Sequence, residues 1–150
     1  MNEKPLMIIE DNDVDYELIV RGLGRAGLKS SVVHCRTGDE AIDYLHGCVE
    51  SDEQAMILEP RVILLDLNMP GMDGRDVLTS IASNRKLLHI PVVVMTPSSA
   101  EEDIEECYAL GARSFLTKPG DSKEFLQILA EFKRFWFDVT QLPGDRRRAA

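Results

Sequence analysis

The sequence predicts an α/β protein in which five β-strands and five α-helices alternate as (βα)5 and build a doubly wound parallel sheet. Short apolar runs rich in β-branched residues alternate along the chain with longer segments of helical periodicity. Three of the runs are apolar at every position, which is typical of parallel strands buried on both faces. Right-handed crossovers then bring the carboxyl ends of all five strands to one edge of the sheet, where sites in such folds form.

The five predicted strands are short and evenly distributed. They span residues 6–9, 32–35, 62–65, 92–95 and 114–117. A longer polar connection at residues 48–60 precedes the third strand, and its composition predicts an excursion over the surface.

Cap residues mark where the first, second and fourth helices begin. Asn12 or Asp13 can cap the first helix, which continues to about Ala26. Capping-box patterns open the second helix at residues 37–40 and the fourth at residues 99–102.

The remaining helix boundaries are marked by glycine and aspartate. The third helix starts near Gly74, and Gly111 stands where a C′ glycine would end the fourth. Asp121 can cap a long fifth helix at about residues 121–137.

Length and composition predict a single domain at residues 1–137, followed by a loose tail at residues 138–150, with no output domain. The formal net charge of -9 argues against nucleic acid as a partner, because duplex binding needs a basic surface. Three scattered cysteines indicate free thiols in a reducing compartment. The apolar N-terminal run is too short for a signal peptide or a membrane span, so we expect a cytoplasmic protein without a membrane partner.

Polar residues stand at the carboxyl ends of four predicted strands. Glu10 and Asp11 follow the first strand, Asp66 the third, Thr96 the fourth and Lys118 the fifth. Each residue alone is most simply explained as a helix-entry acid or a solvated loop residue. Matches on four of the five strands, at an edge where strand ends converge, predict one shared acidic pocket.

Crowded carboxylates need compensation, either by a raised pKa or by a bound cation. An all-oxygen ligand set suits Mg²⁺, which proteins bind through one or two carboxylates with waters and phosphate oxygens. Lys118 offers a fixed charge and Thr96 a hydroxyl donor to a phosphate group. Because a carboxylate can attack phosphorus, Asp66 is the candidate for an aspartyl phosphate.

The same residues lie in motifs that resemble the receiver domains of two-component response regulators. The motifs are IIEDN at residues 8–12, VILLDLNMPGMDG at residues 62–74, IPVVVMT at residues 90–96 and LTKP at residues 116–119. The resemblance covers roughly residues 5–137 and implies the flavodoxin-like receiver topology, with strand order 2-1-3-4-5. It implies a phosphoacceptor switch that catalyses only its own phosphorylation and dephosphorylation, rather than an enzyme.

The resemblance also implies a role for each matching position. Asp66 is the phosphoacceptor, and Mg²⁺, which Mn²⁺ or Ca²⁺ could replace, is held by Glu10, Asp11, Asp66 and the backbone carbonyl of Asn68. Thr96 and Lys118 contact the phosphoryl group, Phe115 is the switch aromatic, and the Lys118–Pro119 bond is cis.

The implied partner is a histidine kinase, and softer features resemble receivers that work with phytochrome-type light-sensing kinases. These features are the long segment before Arg61, HIPVVV at residues 89–94, and FWF at residues 135–137 followed by Leu142-Pro143.

Two departures from the family pattern affect the switch. Pro97 follows Thr96 where a small residue usually donates its backbone N–H, and proline has no N–H. Phe115 lacks the hydroxyl of the commoner tyrosine. Pro97 is the best support for an alternative, a pseudo-receiver that binds proteins without being phosphorylated. A flavodoxin-like cofactor protein or an aspartyl-phosphate hydrolase fits less well, since no phosphate-cradling loop follows the first strand and Asn68 replaces a second acid.

The fifth helix carries more apolar residues than one sheet-facing stripe needs. Phe125, Leu129, Phe132 and Trp136 form that stripe, and further large apolar groups lie beside it. The surplus indicates either a thick core or an exposed partner surface, and the partner surface is favoured. We predict a homodimer whose surface contains Ile128, Phe132, Phe135 and Trp136, with docking of a kinase or a target on the same patch as the alternative.

Overall fold

The structure, a computed structural model, describes residues 3–50 and 58–145. Five parallel strands form one sheet in the order β2-β1-β3-β4-β5, which confirms the predicted topology. The elements are β1 Leu6–Ile9, α1 Asp13–Arg25, β2 Val32–Cys35, α2 Gly38–Glu50, β3 Val62–Leu65, α3 Gly74–Ala82, β4 Val92–Thr96, α4 Glu101–Ala109, β5 Ser114–Thr117 and α5 Ser122–Lys133, followed by a π-helix at Arg134–Val139.

The sheet separates two apolar cores. One face packs against α2, α3 and α4 through residues such as Leu45, Val77 and Cys107. The other packs against α1 and α5 through residues such as Ile19 and Leu129. All side chains of β1, β3 and β4 are buried, and each large one contributes about 1.5–3 kcal/mol to folding.

Strand register aligns the ends of the strands at which the candidate residues stand. Ile9 pairs with Leu65, so Glu10 and Asp66 follow neighbouring strands at the same level. The Asp66 N–H donates to the carbonyl of Ile9 at 3.0 Å. At the other side of β4, the Lys118 N–H donates to the carbonyl of Thr96 at 2.7 Å.

Several helix ends form as the sequence predicts. The side chain of Asn12 caps α1 by accepting from the Asp15 N–H at 2.9 Å. Asp121 caps α5 by accepting from the Lys123 N–H at 2.7 Å. Gly111 follows α4 with a φ of +110°, a conformation that glycine adopts without strain.

The prediction of a capping box at the start of α4 is wrong. Ala100 is the N-cap and makes no side-chain cap hydrogen bond. Ser98 lies just before it, where its Oγ accepts from the Ala100 N–H at 3.2 Å and donates to Asp103 at 2.5 Å. Its carbonyl accepts from the Thr117 hydroxyl at 3.1 Å, so contacts to β5 fix this loop and delay the helix.

The start and the end of α2 also differ from the prediction. Thr37 Oγ1 accepts from the Glu40 N–H at 3.1 Å, but Glu40 accepts from the Arg36 N–H and not from that of Thr37. The helix continues to Glu50, so residues 48–50 are helical and do not belong to the predicted connection. Residues 51–57 lie outside the described part.

A π-helix after α5 changes which aromatic residue enters the core. Its wider turns bond residue i to residue i+5, as in the Thr140 N–H to Phe135 carbonyl bond of 2.8 Å. Phe137 is therefore buried where the helical stripe predicted Trp136, which is half-buried.

The predicted dimer surface is accordingly smaller than the sequence indicated. Phe132 is buried in the core, so its place on that surface is wrong. It faces the sheet because Phe125, Leu129 and Phe132 form the one stripe that covers it. Ile128 is half-buried, and Phe135 is 50% exposed.

Residues 138–145 of the predicted loose tail lie in the described part, where they contact Arg61. Arg61, at the start of β3, is buried and donates to the carbonyls of Trp136 at 2.7 Å and Thr140 at 3.1 Å. It also pairs with Asp145 at 2.6 Å. A buried guanidinium needs such hydrogen-bond and ion-pair partners, and the segment that follows α5 supplies them. Residues 146–150 lie outside the described part. In the described part, no helix combines the length and apolar character needed to cross a bilayer.

Candidate functional site

Three carboxylates meet at the carboxyl edge of the sheet. Glu10 and Asp11 follow β1, and Asp66 follows β3, with one carboxylate oxygen from each lying within 4.8 Å of the others. Glu10 and Asp66 are buried, whereas Asp11 is half-buried. Carboxylates this close repel one another unless a cation or a proton offsets their charge.

Lys118 extends from the end of β5 into this cluster. Its Nζ lies 2.6 Å from Glu10 Oε1, 3.1 Å from Asp15 Oδ2 and 4.0 Å from Asp66 Oδ1. Burial opposes its charge, but the hydrogen bond to Glu10 and the charge of Asp66 outweigh burial and raise the pKa of Lys118. The ammonium is therefore a fixed positive charge at the centre of the pocket.

Asp66 carries a buried oxygen that lacks a hydrogen-bond partner among the described residues, Oδ1. Burial raises the pKa of Asp66 to about 7, with the charge of Glu10 adding to the effect and that of Lys118 opposing it. A buried, unpartnered carboxylate oxygen is costly, and it marks a position prepared for a cation or a covalent group.

The oxygen donors at this edge suit a hard divalent cation. Three carboxylates and nearby backbone carbonyls match the ligands that Mg²⁺ or Mn²⁺ takes in proteins. The orphaned Asp66 oxygen is consistent with such an ion, since it would gain the partner that the protein does not provide. The acidic cluster therefore fits a metal.

The predicted switch residues lie around the acids. Thr96 is fully buried at the end of β4, and Asn68 Nδ2 donates to its hydroxyl at 3.4 Å. Phe115 is half-buried against the core below α4. Pro97 is exposed directly after Thr96 and has no N–H to offer.

The Lys118–Pro119 bond is trans, since the described residues contain no cis peptide bond. The predicted cis bond is therefore wrong for this structure. The trans form is the intrinsically preferred isomer before proline, by about 0.5–1 kcal/mol.

Sequence reasoning missed two residues beside the pocket, Asp15 and His34. Asp15 contacts Lys118 from the first turn of α1. His34 Nε2 lies 2.9 Å from the carbonyl oxygen of Glu10, and its ring stacks on Tyr16 with centroids 3.5 Å apart. An acid in the first turn of α1, just after the acidic strand end, was the available signal for Asp15. No pattern indicated His34.

A second set of charges ties α3 to the loop after Thr96. Arg75 pairs with Asp103 at 2.8 Å and also with Glu106, both on α4. Asp103 accepts in turn from the Ser98 hydroxyl. The loop after Thr96 is therefore linked to both α3 and α4 by these ion pairs and hydrogen bonds.

Comparison with known proteins identifies a family and close relatives. The family model of the response regulator receiver domain matches residues 6–130. The response regulator Rcp1 of Synechocystis sp. is 33% identical over 141 residues, which cover 94% of each chain. The probable methanogenesis regulatory protein FilR2 of Methanothrix harundinacea is 33% identical over 139 residues, covering 93% of this chain and 87% of that protein.

Solved structures agree with the sequence relatives. The phosphorylated cyanobacterial phytochrome response regulator RcpA is 38% identical, with a TM-score of 0.84 and coverage of 94% of this chain and 99% of that chain. The Mn(2+)-bound form of Rcp1 gives a TM-score of 0.83 at 33% identity, with the same coverage.

Proposed function

The chain belongs to the response regulator receiver family, and on that premise we propose that Asp66 is the residue on which it accepts a phosphoryl group from a histidine kinase. The observation that carries this proposal is the buried, unpartnered Oδ1 of Asp66, 4.0 Å from the Lys118 ammonium and close to two further carboxylates. Receivers are phosphoacceptor switches, and in this role the chain catalyses only its own phosphorylation and dephosphorylation.

The phosphoryl transfer is a substitution at phosphorus. An oxygen of the ionised Asp66 carboxylate attacks phosphorus of a phosphorylated histidine, so that a P–O bond forms while the P–N bond breaks. The imidazole leaves with the electron pair and takes up a proton. Lys118 neutralises charge on the transferring group, and the Thr96 hydroxyl donates to one of its oxygens.

Glu10, Asp11, Asp66 and the backbone carbonyl of Asn68 would hold the divalent cation. We assign Mg²⁺, with Mn²⁺ or Ca²⁺ as substitutes, and the Mn(2+)-bound form of the relative Rcp1 supports this assignment. The ion would supply charge neutralisation on the phosphoryl oxygens. Asp11 is the more accessible ligand, whereas Glu10 is buried and already paired with Lys118.

Phosphorylation replaces the single negative charge of the Asp66 carboxylate with about -1.5 to -2 charges on the phosphoryl group and thereby changes the hydrogen bonding of the pocket. Thr96 then exchanges its Asn68 contact for a phosphoryl oxygen, which moves the loop that Ser98, Asp103 and Arg75 tie to α3 and α4. Phe115 lies below α4 and repacks with it. The result is a switched protein-interaction surface.

The partners follow from the same arguments. We propose a phytochrome-type histidine kinase as the partner, because the similar protein RcpA is a phytochrome response regulator. The net charge of -9 makes nucleic acid an unsuitable partner. A homodimer would cover Phe135 and its neighbours at the end of α5, and we place the protein in the cytoplasm.

Labelling with phosphoramidate, a small P–N phosphodonor, tests the acceptor. Wild-type protein with Mg²⁺ should gain the mass of one phosphoryl group on the peptide that contains Asp66, and chelation with EDTA should suppress this. Asp66→Asn should remain unlabelled, and Asp43→Asn on the exposed face of α2 should label normally. Undiminished labelling of Asp66→Asn would refute the assignment. A wild type that takes no label would favour the pseudo-receiver alternative, which Pro97 supports.

A further inference from the structure

A fourth carboxylate, which the proposed transfer does not use, lies against Lys118. Asp15 in the first turn of α1 places Oδ2 3.1 Å from the Lys118 Nζ. Glu10 lies at 2.6 Å and Asp66 at 4.0 Å from the same nitrogen. Three carboxylates therefore share one ammonium, and the acceptor is the most distant of them.

We infer that Asp15 is a positioning residue that holds Lys118 away from Asp66 and so weakens the binding of anionic phosphodonors. The inference rests on the proposed function of Asp66. An ammonium has three N–H donors, and Glu10 and Asp15 occupy two of them in fixed directions. The third N–H is free among the described residues, but Nζ stays 4.0 Å from Asp66 Oδ1, so moving closer to a phosphoryl group there stretches one of these two contacts.

Burial decides which contact yields. The Glu10 side chain is 1% exposed, so losing Lys118 would leave an uncompensated charge inside the protein. The Asp15 side chain is 37% exposed and can be solvated when Lys118 leaves. Asp15 is therefore the releasable partner, and Glu10 is the permanent one.

The backbone fixes both acids on one short segment. The Asn12 side chain accepts from the Asp15 N–H at 2.9 Å, which sets the start of α1. His34, stacked on Tyr16, contacts the carbonyl of Glu10 at 2.9 Å. Asp15 thus faces Lys118 from the start of α1. A substitution of the Asp15 side chain leaves that helix start unchanged, because Asn12 accepts from the backbone N–H of residue 15.

The test compares Asp15→Asn with Asp13→Asn. Asp13 lies in the same helical turn, has the same charge and pairs with Arg36, so it controls for the general field of the helix start. With Mg²⁺ and phosphoramidate, Asp15→Asn should lower the half-saturating donor concentration by about two- to fivefold, the range expected for one partly exposed ion pair. The rate at saturating donor should change less.

Two outcomes of the donor titration would overturn the inference. Equal effects of Asp15→Asn and Asp13→Asn would show a general field, and an unchanged half-saturation in Asp15→Asn would show that Asp15 does not restrain Lys118. Failure of the proposed function looks different, because then wild-type protein takes no label at Asp66.

A second measurement decides the contact without using Asp66 chemistry. The side-chain ammonium signal of Lys118 in ¹⁵N NMR should shift in Asp15→Asn and stay in place in Asp13→Asn. If it stays in place in both variants, Asp15 does not hold Lys118 and the inference is lost, whatever the labelling shows.

Discussion

The energetic cost of folding this site falls mainly on Asp66. Its buried oxygen has no partner in the described part of the chain, and burial raises the pKa of its carboxyl to about 7 from an ordinary 3.8. In the absence of a cation or a phosphoryl group, Asp66 therefore lowers the stability of the folded protein. A ligand that binds the folded protein and relieves this unfavourable burial restores part of the lost stability.

We predict that Asp66→Asn stabilises the metal-free protein in a pH-dependent way. Because the folded pKa lies above the ordinary value, protonation favours the folded state, and this contribution is lost as pH rises from about 4 through about 7. The variant cannot ionise, so its stability advantage over wild type should grow from about pH 4 and level off near pH 8, at about 1–3 kcal/mol.

Urea unfolding in EDTA across this pH range measures the difference. Asp43→Asn on the exposed face of α2 is the matched control and should show no such trend. Mg²⁺ should narrow the gap, since it binds the ionised wild type. A constant difference across the pH range would contradict the prediction.

The pocket residues differ in how far the sequence could reveal them. Glu10, Asp66 and Lys118 stand directly after apolar runs, so the geometry of a parallel sheet predicts their convergence. Asp15 contacts Lys118 from a helix turn, and His34 contacts the backbone carbonyl of Glu10 from the neighbouring strand β2. Their positions depend on side-chain packing across elements, which a periodic pattern does not encode.

At the scale of elements, Arg61 connects the start of β3 to the segment that follows α5. Its buried guanidinium donates to Trp136 and Thr140, pairs with Asp145 and lies 5.8 Å from the centre of the Phe137 ring. The π-helix and the following segment are thereby fixed to the amino edge of the sheet, opposite the acidic pocket.

Arg61→Ala should lower the free energy of unfolding by about 3 kcal/mol, because it removes the buried partner of an ion pair and several donors. Urea unfolding measures this loss. Hydrogen exchange should also accelerate in residues 134–145 while the pocket stays protected.

Arg113→Ala is the control for Arg61→Ala. Arg113 is exposed and its side chain donates a long hydrogen bond of 3.3 Å to the carbonyl of Leu88, so truncating that side chain should cost about 0.5 kcal/mol or less. Equal losses in the two variants would contradict the assigned role of Arg61.

Element boundaries were predictable where one residue sets them. Asn12, Asp121 and Gly111 act through local backbone geometry and occupy their predicted roles. The start of α4 and the π-helix were not predictable, because contacts between Ser98 and β5 and between Arg61 and the chain end override local preference.

At the scale of the whole molecule, the proposed homodimer depends on a small apolar area at the end of α5. Phe135 is 50% exposed and Val139 49%, one helical turn apart, and the ring of Phe135 contacts Trp136 edge-on at 5.0 Å. Burying such side chains against a second copy would contribute about 1.5–3 kcal/mol each.

Phe135→Asp should therefore abolish self-association, because a charge in a desolvated interface is costly. Sedimentation velocity from about 1 to 100 μM should show a dimer for wild type and a monomer for the variant. Val14→Asp, at a site 75% exposed on α1, should leave the dimer intact. Wild-type protein that stays monomeric at about 100 μM would rule out the dimer.

The π-helix also bears on how this surface can diverge between relatives. A wide turn accommodates one residue more than an α-turn between the same two anchors, here Phe132 and Phe137 in the core. Deleting a single residue between them would let the segment close as an ordinary α-helix and would present different side chains outward. Partner choice at this end of the molecule can thus change by insertion or deletion, with every core residue kept.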